Sequence, residues 1–428
     1  MDIPKGLFKE YDVRGVYPVE LNEKIAYYIA IKIGRKIGRR ALFLGYDNRE
    51  GSIKIKDGVI KGLRMVGVDV IETGLGPIML PLFLSYKQRS YGICVTASHN
   101  PAEYTGILTY NEGVTVKPSD IIDDMKPRIL SSKRKGKLIK RDCSEDYLRY
   151  ISRNIGKIPL KIGVDSMGGT TGSLAKRLFN KVGSSVEMLY DKPSRTFYGK
   201  VPEPTKKNIV DLSKLVKRRR LDLGIELDAD GDRVAFVDEK GRFVDPMTIA
   251  MIMIKYLGYK RIIATVSCSR RLEAYADVKY VKVGRPFIEK KLVGGDYKFG
   301  VETSSHFYFG GYYPFSDGLL GGLLLTSIMA ENGKSLSGLV AEFPPIHYKN
   351  RKIRFSTEAE RYKKLLEIRE KAAKYGRVNR LDGVKVLMGG GFMLFRESNT
   401  EPLIRVYYEG TTKKELKRIE RAVEKIVG

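Results

Sequence analysis

Cysteine is scarce and scattered: Cys94, Cys143 and Cys268 are the only three in 428 residues, and no two lie close together in the chain. With no such pair the sequence offers neither a zinc site nor a redox dithiol, and the three are expected to be reduced core residues. Long apolar runs are missing too. The opening MDIPKGLFKE has no charged head followed by a greasy stretch, and the longest apolar segment, around Leu319 to Ala330, is short and broken by glycine. This predicts a buried helix rather than a membrane span, and a cytoplasmic protein with no membrane partner. Negative charge is in deficit: 50 Asp and Glu stand against 78 Lys and Arg, a net +28. Such an excess implies an anionic partner, either nucleic acid or phosphorylated metabolites. The basic clusters Lys133-Arg134-Lys135 and Lys217-Arg218-Arg219-Arg220 carry no interleaved stacking aromatics. They read as solvated faces, so no nucleic acid is expected. Surface charge of a heat-adapted protein would give the same pattern.

A composition of 43% hydrophobic and 30% charged residues excludes disorder, and length alone suggests roughly three domains. Several segments repeat one pattern, a short β-rich run ending in small or polar residues and then apolar residues at helical spacing. The runs ALFLGYD (41 to 47), YGICVTAS (91 to 98), LKIGVDS (160 to 166), LDLGIELD (221 to 228) and RIIATVS (261 to 267) are nearly continuous in apolar content, as suits strands covered on both faces. This is an α/β fold, and similar strand-turn-helix openings in the first three blocks permit an old triplication. Linker signals fall at 131 to 142, near 193 to 205, and near 344 to 350; the first and last read as boundaries. The tail differs. GVKVLMGGGFMLF reads as a strand with a glycine run, followed by the polar turn RESNTEP, the strand LIRVYYEG and a charged helix from Thr412, a small α+β domain.

Four loops can carry chemistry. Asp228, Asp230 and Asp232 alternate after a buried run, so three carboxylates converge at a strand end and call for a divalent cation. A calcium loop is the competing reading, since Glu239 falls at the twelfth position, but Arg233 occupies the sixth, where glycine is needed. An oxygen-only site favours magnesium. Thr96-Ala97-Ser98-His99-Asn100-Pro101 ends another buried run, which places Ser98 at a strand tip. It lacks a G-x-S-x-G elbow, so a hydrolase triad is poorly supported, whereas a serine can carry phosphate beside a metal. In VETSSHF, Glu302, Ser304 and His306 can hold sugar hydroxyls, and His306 can shuttle a proton; taken alone they are ordinary loop residues. Arg396, Ser398, Asn399, Thr400 and Arg405 gather donors suited to a phosphate, although such turns are common at surfaces.

In order, these loops resemble the α-D-phosphohexomutase family, in particular its phosphomannomutase/phosphoglucomutase branch. FKEYDVRG at 8 to 15 looks like the amino-terminal motif, TASHNP like the phosphoserine loop, DADGDR like the metal loop, VETSSH like the sugar loop and RESNTEP like the phosphate loop. The resemblance spans essentially the whole chain. It implies three related α/β domains with mixed sheets (1–140, 141–242, 243–345) and a TATA-binding-protein-like α+β domain (346–428) around a central cleft. The implied reaction moves phosphate from Ser98 to a hexose phosphate and back through a hexose 1,6-bisphosphate, which also serves as activator. Glucose or mannose phosphate is the expected substrate, with phosphoglucosamine mutase or a weakly catalytic phosphosugar-binding paralogue as alternatives, and a monomer or homodimer as the assembly. The resemblance implies a catalytic set of Ser98, Arg14, His99, His306 and Arg233. Magnesium would be held by Ser98, Asp228, Asp230 and Asp232. Substrate would be bound by Tyr11, Arg285, Glu302, Ser304, His306, Arg396, Ser398, Asn399, Thr400 and Arg405. Three departures stand out: Leu108 replaces the loop lysine, Ser305 a glycine and Val301 another. Arg14, Arg285 and His306 are the cations available to compensate for Leu108.

Overall fold

The computed structural model describes residues 3–38, 40–121, 134–398 and 403–428. Four sheets succeed one another along the chain. In the first, Leu42–Tyr46, Val70–Leu75, Tyr91–Val95 and Leu138–Lys140 run parallel, and Tyr104–Asn111 and Val13–Val16 close one side antiparallel. The second has parallel Ser185–Leu189, Lys161–Asp165 and Leu223–Leu227, with Val234–Asp238 and Phe243–Val244 antiparallel beside them. The third orders Asp277–Val281, Arg261–Thr265, Phe299–Val301 and Phe307–Phe309, the last antiparallel. These are mixed α/β sheets, and the expected buried strands lie within the anticipated runs.

The same local event recurs in all three. A buried parallel strand ends, a polar loop turns the chain, and the next strand returns antiparallel to it. Residues 96–103, 228–233 and 302–306 are those loops, which puts three of the polar motifs at the carboxyl ends of equivalent strands, the position where open α/β sheets bind ligands. The returning strands are the element that periodicity alone did not single out.

The helix Gly318–Asn332 is the apolar segment expected to be buried, and it is apolar all round because it is covered all round. Asp317 caps it by accepting from Leu320 N and also receives Tyr147 Oη and Tyr313 Oη. Its start lies against the metal loop, with Gly318 N donating to Gly231 O at 2.9 Å. A Cβ at Gly318 would stand 2.7 Å from Arg233 O, so only glycine permits the approach. One continuous core joins the first three domains, running through Phe43, Val164, Ile225, Phe299 and Leu323.

The fourth sheet is wholly antiparallel, in the order His347–Arg354, Leu403–Gly410, Gly391–Glu397, Val384–Met388, Arg377–Asn379. The helices Glu358–Ala372 and Lys413–Val427 cover one face around Leu365, Ile368, Val406 and Ile419. The run GVKVLMGGGFMLF is two strands in a hairpin, because Gly389 at φ +61° turns the chain where a single strand was expected. Contact with the third domain is apolar and polar: Val266 packs against Phe392 and Leu394, Lys385 donates to Val266 O, and Arg270 and Arg271 donate to Gly389 O and Thr411 O.

Candidate active site

Ser98 sits in the left-handed region at φ +48° and is 1% exposed. A non-glycine residue held there requires its surroundings to fix it. They do: the buried guanidinium of Arg49 donates to the carbonyls of Ser98, Asn100 and Pro101 and pairs with Asp47 at 2.9 Å. Thr96 Oγ1 accepts from Ser98 N at 2.9 Å and donates to Asp47 and to Asp230. The loop is thereby moulded onto the metal loop. Neither Arg49 nor Asp47 was marked by the sequence reading; the available signal was a polar Asp-Asn-Arg at the end of the strand Leu42–Tyr46.

Ser98 Oγ donates to Asp228 Oδ2 at 3.1 Å. Asp228, Asp230 and Asp232 are buried and offer carboxylate oxygens within 4.8 Å of one another. Burial, followed by the charges of Asp232 and Asp230, pushes the Asp228 carboxyl well above the usual range. Burial and then Asp232 raise Asp230 to about 7. Burial acts the same way on Asp232, but His306, Arg285 and Arg233 outweigh it and hold that carboxyl well below the ordinary value. Asp230 Oδ1 is buried without a hydrogen-bond partner. A divalent cation fits this donor set: it supplies the missing partner and relieves the repulsion. Glu239 takes no part. It accepts from Ser337, far along the returning strand, which removes the calcium-loop reading.

Arg233 leaves the metal loop and fans out. Its Nε donates to His306 Nε2 at 3.2 Å, its NH1 to Glu203 and its NH2 to His99 Nδ1 at 2.8 Å. Burial, then the charges of Arg233 and Arg14, hold His99 well below its usual pKa and so neutral. His306 Nδ1 in turn lies 2.8 Å from Ser304 Oγ. Arg14 donates to Asn100 Oδ1 and pairs with Asp12. Glu302 accepts from Gly284 N at 3.1 Å and Tyr308 Oη at 3.0 Å. Ser305 takes φ +67°, a backbone state that explains why the family favours glycine there, while Val301 is an ordinary buried strand residue.

Leu108 is 2% exposed and packed in the shared core. The cation at this end of the site comes instead from the third domain: Arg285 NH2 lies 3.0 Å from Asp232 Oδ2, and NH1 donates at 2.8 Å to Tyr110 Oη, two residues beyond Leu108. Tyr11 donates to Val283 O at 3.0 Å, and burial, then Glu10, raises its phenol pKa strongly. Val283 N in turn donates to Asp382, which pairs with Arg396 at 2.7 Å. This relay from the first domain to the fourth brings Arg396 to the cleft. Arg405 faces Arg396 on the neighbouring strand, and Ser398 accepts Arg361 on its carbonyl. Asn399 and Thr400 lie outside the described residues. A serine hydroxyl against a cation-seeking carboxylate cluster, with guanidiniums on both sides and more at a distance, is suited to phosphoryl chemistry.

Known proteins give the same picture. Four models match in succession: phosphoglucomutase/phosphomannomutase alpha/beta/alpha domain I over residues 5–132, domain II over 145–241, domain III over 245–346 and the C-terminal domain over 352–426. A phosphomannomutase of Methanocaldococcus jannaschii is 30% identical over 98% of this chain and 97% of its own. A probable phosphoglucosamine mutase of Pyrococcus horikoshii is 29% identical over 95% of each. A crystal structure of a phosphoglucomutase/phosphomannomutase family protein from Burkholderia thailandensis superposes with a TM-score of 0.90 at 27% identity, covering 99% of this chain and 97% of that one. No described helix is long and apolar enough to cross a membrane. The chain therefore belongs to the phosphoglucomutase/phosphomannomutase family of α-D-phosphohexomutases and is an isomerase-class phosphotransferase.

Proposed function

We propose that the chain interconverts the 1-phosphate and 6-phosphate of glucose or mannose, with Ser98 as carrier of the moving group. The observation that carries this is the 3.1 Å approach of Ser98 Oγ to Asp228 within the three-carboxylate cluster. In the first half-reaction the bond from phosphorus to Ser98 Oγ breaks and one to the free hydroxyl of a hexose phosphate forms. The resulting bisphosphate reorients, and its other phosphate returns to Ser98. Asp228, Asp230 and Asp232 would hold magnesium, which when bound neutralises charge on the transferring group. The proton lost by the sugar hydroxyl is taken up by Ser98 Oγ as its bond to phosphorus breaks, so the step balances without a separate base. Arg233 donates to both imidazoles and so fixes His99 and His306 beside the metal loop. Arg14 and Arg285 supply positive charge from either side. Glu302, Ser304 and His306 face the sugar, and Arg396, Ser398, Asn399, Thr400 and Arg405 grip the phosphate that is not reacting. Two phosphate positions are what let one product become the next substrate without leaving.

The test is a coupled assay with glucose 1-phosphate, mannose 1-phosphate and glucosamine 1-phosphate, with and without magnesium, primed by the matching bisphosphate. Magnesium-dependent turnover of glucose or mannose phosphate is expected. Turnover of glucosamine phosphate alone would move the reading to a phosphoglucosamine mutase, as in the Pyrococcus relative's name. Binding without turnover would leave a phosphosugar-binding paralogue.

A further inference from the structure

Three neighbouring strands of the fourth domain carry a row of cations. Lys352 of His347–Arg354 stands opposite Arg405 of Leu403–Gly410, and Arg405 stands opposite Arg396 of Gly391–Glu397. Directly opposed side chains in an antiparallel ladder have Cβ atoms about 5 Å apart, and like charges there repel. The face is fixed by what surrounds them. Ile353, beside Lys352 in the chain, packs with its partner Ile404 under the helices, and Lys349 pairs with Glu420 on that helical side. Phe392 and Leu394, which alternate with Arg396 on the other face, pack against Val266 of the third domain. Lys352, Arg405 and Arg396 thus lie on the face turned toward the third domain, and Arg396 reaches the relay to Tyr11.

The charge is not balanced from within. Asp382 neutralises Arg396, whereas Lys352 and Arg405 have no ion-pair or hydrogen-bond partner among the described residues. Two unmatched positive charges side by side correspond to a phosphate monoester, which carries about −1.5 to −2 at neutral pH. We infer that Lys352, which no sequence motif marks, is the third cation of the distal phosphate site and sets its affinity for a dianionic phosphate ester. The identity of the sugar rests on the mutase reading; the phosphate contact does not.

Calorimetric titration of glucose 6-phosphate into the full chain tests this without requiring turnover. Lys352→Ala is expected to weaken binding about five- to tenfold and to flatten its salt dependence, and Lys352→Arg to restore both. Lys349→Ala, on the same strand but the opposite face, is expected to change neither. In the isomerase assay the Lys352→Ala effect should fall on KM, with kcat within about twofold, as for binding energy shared by ground and transition states. Wild-type affinity in Lys352→Ala, or an equal loss in Lys349→Ala, overturns the inference. Wild-type binding that depends on Lys352 without isomerisation would sustain it and sink the mutase reading. No measurable binding by the wild-type protein would overturn both.

Discussion

Around Ser98 the buried cations have their anions. Arg49 holds Asp47, Arg285 holds Asp232, and Arg233 spreads over Glu203 and two imidazoles. At the other end of the cleft, on the fourth sheet, Lys352 and Arg405 face each other with no anionic partner among the described residues. The packing divides the same way. One core runs through the first three domains, while the fourth has its own and meets the third through Val266, Phe392 and Leu394 and through hydrogen bonds from Arg270, Arg271 and Lys385. The difference matches two tasks. Phosphoryl transfer gains from charges fixed in a dry site, where they need no rearrangement as charge develops. A grip that must release one phosphate and take another in each cycle works better with charges left unpaired, of which Lys352 is exposed to solvent.

Breaking the buried end should cost most. Asp230→Asn removes a cluster oxygen with no other partner, and we expect turnover to fall about 10³-fold or more while magnesium affinity drops, measured by kinetics and by magnesium titration. Arg49→Met strands Asp47 and frees three carbonyls of the Ser98 loop. Breaking a fully buried pair in this way should cost about 3 kcal/mol in denaturant unfolding, a loss that no single cation on the fourth sheet should match. Arg285→Met separates electrostatics from metal holding. Turnover should fall by about two orders of magnitude while magnesium affinity rises, because Asp232 loses a competing cation.

The smallest effect is one of pH. Burial lifts Glu289, which accepts from Thr115 N at 2.7 Å, to about 7. The folded state therefore binds more protons than the unfolded one between about 4.5 and about 7. Its contribution is fully present at the acid end and is lost as pH rises through that window. Glu289→Gln should flatten the fall in melting temperature between pH 5 and pH 7.5, whereas Glu420→Gln, on the helical face of the fourth domain, should leave it unchanged.

Much of the first three domains was legible because their strands are covered on both faces and so are continuous in hydrophobicity. The loops that follow them stood out by contrast: DADGDR and TASHNP are polar islands after apolar runs. The returning strands Tyr104–Asn111 and Val234–Asp238 did not, since they are buried directly behind those loops and lack a turn signal of their own. Arg49 was missed because its work is done through carbonyl oxygens, which leave no residue-type signature in the partners. The role open to Arg285 depends on a contact with Tyr110, 175 positions away. Lys352 was invisible for a related reason: an edge strand reading HYKNRKIR shows only scattered charge until its register with Arg405 is known.

The most direct test of the account follows one phosphorus atom. The chain is charged with labelled phosphate from glucose 1,6-bisphosphate, its peptides are mapped by mass spectrometry, and unlabelled glucose 1-phosphate is then added with magnesium. The account predicts label on the peptide containing Ser98, its transfer to hexose phosphate on mixing, and neither event in Ser98→Ala. Label retained on Ser98 after mixing, or found on another residue while isomerisation proceeds, would contradict it.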